Sequence, residues 1–296
     1  MCDFPFIPHM KTLSPVENDL RARFAALQTE MRPVSEPIIT LAELGEESLL
    51  KLITGDCLAV RVREFIPKAH AQQIADRLLA ATTWGRYETE GAQGIEISGK
   101  ALFECGGDRT CPEYFERALG TRRAVRNLLA PLSCPVDLMQ AELDSNWKRG
   151  TKVLTLGEKK CHVGLQRCFR EGGEALWHND RARADFNHPK TARMQFQLAL
   201  NTYLSMASGG ELELWNLLPS DELYDEARYE FGPTYAIRGD FLPEPDLTIR
   251  PEPGDFVTFN AAKIHRVRPV LGDGARVTVS AFAGFFSVNE PLEIFS

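Results

Sequence analysis

After about Thr151 the chain becomes a succession of short apolar runs cut by turn signals, and nothing else in it restricts the possible folds as strongly. HVGLQRCF, RMQFQLALNTYL, GELELWN, DFVTFN, HRVRPVL and RVTVSAFAGFF are separated by EGG, SGG, PGD and GDG. Apolar runs of that length between Gly and Pro signals read as strands, and several in succession predict an antiparallel sandwich or barrel. Upstream the periodicity is different. ENDLRARFAALQTEM sets Leu20, Phe24 and Leu27 at helical spacing, and a second helix is predicted near Ala42–Ile53. LAVRVREFIP alternates like a strand up to Pro67, and KAHAQQIADRLLAAT then resumes the helical period. The predicted organisation is a helical extension over 1–55 and one domain over 56–296. That domain has a β core at about 151–288 and an acidic, Pro- and Tyr-containing insertion at about 216–250. The insertion reads either as a lid over a site or as a solvated excursion.

Composition narrows the class of partner. The chain has 296 residues, 44% of them hydrophobic and 25% charged, enough apolar material for a sizeable core. A formal charge of -7 argues against a dedicated nucleic-acid binder and against an anionic membrane surface. The seven cysteines have no C-x-x-C spacing, and MCDFPFIPHMKTL has no apolar export segment. Free thiols in a reducing cytoplasm are the expectation.

The chemistry is carried by WHNDRARADF, where His178 stands two residues before Asp180. Six histidines among 41 Asp+Glu make about 0.8 such pairs expected by chance, so the pair alone decides nothing. On a strand, however, residues i and i+2 share a face. His265, in a second apolar segment 87 residues later, would complete two histidines and a carboxylate. That is the facial triad of non-haem Fe(II) oxygenases, which leaves positions open for cosubstrate and O₂. Arg276, eleven residues further on, is suited to clamp a carboxylate bidentately. The other histidines, His9, His70, His162 and His188, have no acid two residues on.

Residues from about Cys161 to Ser287 resemble the Fe(II)/2-oxoglutarate oxygenases, most of all their prolyl-4-hydroxylase-like branch. The resemblance is carried in order by FREGGEALWHND, SGGELELW, PEPGDFVTFN and HRVRPVLGDGAR. It implies a mainly β core folded as a double-stranded β-helix, a cupin-like jelly-roll with the N-terminal helices packed on it. It also implies iron held by His178, Asp180 and His265, and 2-oxoglutarate held by Arg276 with Thr278 beside it. O₂ is then the oxidant and ascorbate an accessory reductant. The segment is also similar to free-standing aliphatic halogenases, which carry Gly or Ala where this chain has Asp180, so native halogenation is not expected. Two departures stand out. Phe169 occupies a position where the branch often has a Tyr that hydrogen-bonds the keto acid, so another donor must serve. The clamp is Arg276 rather than the Lys of collagen-type enzymes.

The resemblance implies a cytoplasmic dioxygenase that hydroxylates a C–H bond of a small, carboxylate-bearing molecule, such as a free amino or imino acid. Arg170, Arg181, Arg193 and Trp177 are candidate substrate contacts near the motif. Two other readings stay open: an oxygenase acting on a peptide, protein or larger natural product, and a non-catalytic cupin-type barrel with structural histidines.

Overall fold

The structure is a computed structural model that describes residues 14–81, 84–87, 92, 94–105, 111–186, 188–231 and 235–296. The stretch MCDFPFIPHMKTL, with Cys2 and His9, lies outside the described residues.

All six predicted apolar runs form strands, and period-2 alternation decides what each face meets. In the strand Phe196–Ser205, Leu198, Leu200 and Leu204 face one side while Ala199, Asn201 and Tyr203 face the other. Arg276–Phe285 pairs with it antiparallel, setting Thr278 opposite Tyr203 and Ser280 opposite Asn201. Its Val277, Val279, Ala281 and Ala283 join the leucines, and its Arg276, Thr278 and Ser280 line a cavity. Leu165–Phe169 continues the rule, with Arg167 opposite Thr278 and Phe169 opposite Arg276.

These strands are the centre of a ten-stranded mixed sheet. Its apolar face is covered by the helices Glu46–Thr54, Lys68–Ala81 and Pro135–Asn146, through Leu49, Leu52, Ile74, Leu78, Met139 and Leu143. The other face meets a four-stranded sheet of Leu247–Ile249, Leu212–Leu214, His265–Val267 and Ala175–His178, in that order. Leu212, Leu214 and Ile249 pack against Ala199, Val257 and Phe259 across the gap. The chain is thus an α+β protein with a cavity between two sheets.

The N-terminal region contributes more β structure than its sequence suggested. Ile38–Leu41 pairs parallel with Ala59–Val62 at one edge of the large sheet, and Ile95–Ser98 pairs with Leu165–Phe169 towards the other. Two further helices of this region are Pro112–Leu129 and Pro135–Asn146. The first helix, Pro15–Glu30, opens on a capping box in which the Ser14 hydroxyl accepts from the Glu17 amide and the Glu17 carboxylate accepts from the Ser14 amide. Its Leu20 and Phe24 are fully buried against Trp215, Leu217, Tyr224 and Phe241 of the acidic insertion. The insertion itself folds into the helix Asp221–Phe231, and Arg23 reaches Glu226 across the contact at 2.7 Å.

The expectation of free thiols is corrected at one place. Cys105 and Cys111 form a disulfide, their Cα atoms 5.5 Å apart and so within bridging range. Cys57, Cys134, Cys161 and Cys168 are free and buried. Among the described residues no helix is long and apolar enough to cross a membrane.

Candidate metal centre

His178 ends its strand directly opposite His265 on the neighbouring strand. From that pair to the next, Val267 with Ala175, one strand advances two residues and the other three. This is a β-bulge, a feature over-represented beside active sites because it re-aims a side chain. Here both His178 and Ala175 line the cavity. Asp180 follows just beyond the strand, tied down by its amide donating to the Ala261 carbonyl at 2.8 Å.

The result is a compact donor set. Ligand atoms of His178, Asp180 and His265 lie within 4.8 Å of one another, and His265 Nε2 is 3.3 Å from an Asp180 carboxylate oxygen. Each imidazole is oriented by its own backbone: His178 Nδ1 is 2.6 Å from the Leu176 carbonyl, and His265 Nδ1 is 2.9 Å from the Lys263 carbonyl. An Nδ1–H donating to a carbonyl leaves Nε2 as a neutral donor, the form a metal requires. Burial, with the neighbouring His265, pushes His178 down to about 4, so it stays uncharged at neutral pH. Burial pushes the Asp180 carboxyl up, but its interactions with His265, His178 and Arg167 outweigh it and hold Asp180 below its ordinary value. Two neutral nitrogens and one carboxylate suit a divalent transition metal.

The insertion supports this edge. The Tyr235 hydroxyl accepts from the Leu176 amide at 2.9 Å, and its ring meets the His178 ring edge-on at 5.1 Å. The Ile237 amide donates to the Trp177 carbonyl at 2.9 Å, and the Tyr224 hydroxyl donates to the Tyr235 carbonyl at 2.6 Å.

The three residues open on a cavity of about 520 Å³, within the roughly 300–1,000 Å³ common for small-molecule sites. Arg276 and Thr278 line it, and both are almost fully buried. The Arg276 guanidinium lies between the Phe169 and Tyr203 rings, 4.6 and 5.1 Å from their centroids, and its Nε donates to the Gly210 carbonyl at 3.1 Å. Gly210 is required here: it has φ +70, and a Cβ would meet Arg276 Cδ at 2.9 Å.

The candidate substrate contacts are dispersed. Arg170 is half exposed and pairs with Glu96 at 3.0 Å outside the cavity. Arg193 precedes the strand that was expected to include it and pairs on the surface with Glu290 at 3.3 Å. Trp177 packs on the outer, insertion side, under the Arg266 guanidinium at 4.3 Å. Arg181 does line the cavity, but Asp185, Asp221 and Asp225 surround it at 3.4, 3.1 and 2.9 Å. The structure adds Arg167, Tyr87, Asn201, Tyr235 and Arg228 to the lining. Arg167 had a sequence signal, a lone charge inside the apolar run LQRCF; the insertion residues had none.

Comparison with known proteins agrees with this geometry. Residues 40–296 match the family described as carrier-protein-independent halogenase WelO5. An L-gamma-glutamyl-L-propargylglycine hydroxylase of Streptantibioticus cattleyicolor is 28% identical over 160 residues, which are 53% of this chain and 57% of that protein. The chain thus aligns with little more than half the length of that relative. Among solved structures, an N-substituted L-amino acid dioxygenase from Burkholderia ambifaria AMMD has a TM-score of 0.57 at 18% identity, covering 85% of this chain and 91% of its own. The same dioxygenase in complex with alpha-KG has a TM-score of 0.57 at 19% identity, with the same coverage of 85% and 91%. At these identities the structural likeness is one of fold. The match over residues 40–296 is more specific: the chain belongs to the WelO5 family, within the Fe(II)/2-oxoglutarate oxygenase superfamily.

Proposed function

We propose that this protein is an Fe(II)/2-oxoglutarate-dependent hydroxylase of a small amino-acid-derived molecule, working in the jelly-roll cavity of a double-stranded β-helix. The observation that carries the reading is the complete donor set of His178, Asp180 and His265, with a carboxylate at the position that distinguishes hydroxylases from halogenases. Those three residues would hold the iron, and Arg276 the distal carboxylate of 2-oxoglutarate. When bound, iron would activate O₂ and 2-oxoglutarate would supply two electrons through its decarboxylation to succinate and CO₂, so that one oxygen atom of O₂ enters succinate and the other the substrate C–H bond.

The rest is the work of the chain. The backbone carbonyls of Leu176 and Lys263 fix both imidazoles with Nε2 available. Phe169 cannot donate to the keto acid, but the buried Tyr203 hydroxyl lies beside the Arg276 guanidinium and its O–H meets no acceptor among the described residues. Tyr203 therefore serves as the missing donor, with Thr278 opposite it in register. The apolar lining of Ile95, Phe169, Leu212, Phe259 and Val267 limits water around the reacting centre. A small substrate suits the cavity's volume, and an amino-acid derivative accords with the names of the hydroxylase and dioxygenase relatives.

The test is anaerobic titration with Fe(II) and 2-oxoglutarate, followed by oxygenation with a panel of amino-acid derivatives. The expected results are a metal-to-ligand charge-transfer band that His178→Ala abolishes, substrate-stimulated succinate release and a +O product by mass spectrometry. A band unchanged in His178→Ala would overturn the assignment.

A further inference from the structure

The charges around the cavity fall into two groups. Arg181 is enclosed by three carboxylates, and Arg228 pairs with Asp225 at 3.1 Å. Arg276 and Arg167 have no carboxylate oxygen within 4.0 Å among the described residues, although both line the cavity. Taking a guanidinium out of water with no anion beside it is costly, so such a group is normally found with a partner. In the proposed reading 2-oxoglutarate is the partner of Arg276. Arg167 is left without one.

Arg167 is held in place for binding. It projects from Leu165–Phe169 beside Thr278, and its Nε donates to the Tyr87 hydroxyl at 2.7 Å. Tyr87 in turn stacks on Phe103 with centroids 5.4 Å apart. With Nε occupied, the two terminal nitrogens make no hydrogen bond among the described residues, and such a fork matches a carboxylate bidentately. Asp180 and Glu104 are near enough to act on Arg167 electrostatically.

We propose that Arg167 anchors a carboxylate of the substrate and that Tyr87 is its positioning residue, so that the enzyme selects acids over the corresponding amides. This rests on the iron and 2-oxoglutarate reading of the same cavity. The experiment compares the wild type with Arg167→Gln, Arg167→Lys and Tyr87→Phe. The probes are N-acyl-L-amino acids and γ-glutamyl dipeptides, each as the free acid and as the C-terminal carboxamide. In the wild type the acids should stimulate succinate release at least about tenfold more than the amides. Arg167→Gln should raise KM for the acids roughly 30-fold or more, with a much smaller change in kcat, and erase the acid preference. Arg167→Lys should restore part of it, and Tyr87→Phe should weaken it while the protein remains folded. All three variants should keep the anaerobic Fe(II)/2-oxoglutarate band at wild-type 2-oxoglutarate concentrations.

The two levels fail separately. Loss of the band in the wild type defeats the iron reading. A normal wild-type band defeats the anchor alone if amides serve as well as acids, if no carboxylate probe acts, or if the Arg167 variants keep the preference. Loss of 2-oxoglutarate affinity in Arg167→Gln also defeats it, because Arg167 would then belong to the cosubstrate.

Discussion

Replacing Arg276 tests the proposed cosubstrate site most directly, because its surroundings allow the size of the effect to be estimated. The residue is buried, its Nε is committed to the Gly210 carbonyl, and its plane lies between Phe169 and Tyr203. The terminal nitrogens are therefore what a carboxylate would meet. Removing one partner of a buried, hydrogen-bonded charge pair costs about 2–5 kcal/mol. At about 1.4 kcal/mol per tenfold, Arg276→Ala should raise the 2-oxoglutarate requirement roughly 30- to 5,000-fold. Arg276→Lys keeps the charge but loses the fork, the Gly210 bond and the ring stacking. A loss of about 1–2 kcal/mol, or roughly 5- to 30-fold, is expected from one weakened charged hydrogen bond. The assay is anaerobic titration of the charge-transfer band with 2-oxoglutarate, with circular dichroism confirming that each variant is folded. Equal effects of alanine and lysine would refute the clamp, as would an alanine variant with wild-type affinity.

Three further outcomes follow from the structure. Asp180→Gly, assayed with chloride present, should lose most hydroxylation, and mass spectrometry should detect a chlorinated product; unchanged hydroxylation would remove Asp180 from the metal site. Phe24→Ala should destabilise the protein by about 3–5 kcal/mol in denaturant unfolding, because Phe24 is fully buried between the first helix and the insertion. A loss below about 1 kcal/mol would mean that this contact is not part of the cooperative core. Burial lowers the pKa of His162, so its stabilising contribution is complete above the ordinary histidine pKa and is lost as pH falls through the depressed value. Denaturation midpoints at pH 7.5 and 5.5 should therefore differ more for the wild type than for His162→Gln, and equal differences would exclude His162 as the source.

The strands were legible because short apolar runs fall between Gly or Pro signals. The convergence of His178, Asp180 and His265 was legible from the i, i+2 spacing of the first two and a histidine in a second apolar segment. Proximity in sequence proved a poor guide to the substrate side. Trp177 neighbours His178 yet points outward, and Arg181 lies next to Asp180 yet is neutralised by acids brought in from the helix Asp221–Phe231. Arg193 was displaced from the expected face because the strand begins only at Phe196. Arg167 did carry a signal, a lone charge inside LQRCF, but one that named no face. Leu165–Phe169 is covered on both faces, so its alternation does not mark which side holds the cavity.

The direct opposition of His178 and His265 has a mechanical consequence. Between them the chain travels 87 residues, through the strand Phe196–Ser205, the small-sheet strands Leu212–Leu214 and Leu247–Ile249 and the whole insertion. An ion gripped by both imidazoles closes that excursion as a crosslink does. Loop-closure entropy grows only with the logarithm of length, so nearly all the gain comes from making the closure at all. Iron would then act as a clasp as well as a reactive centre. Emptying it should free the ends of the two paired strands to part, so amide exchange at His265–Val267 would report occupancy before any turnover is measured.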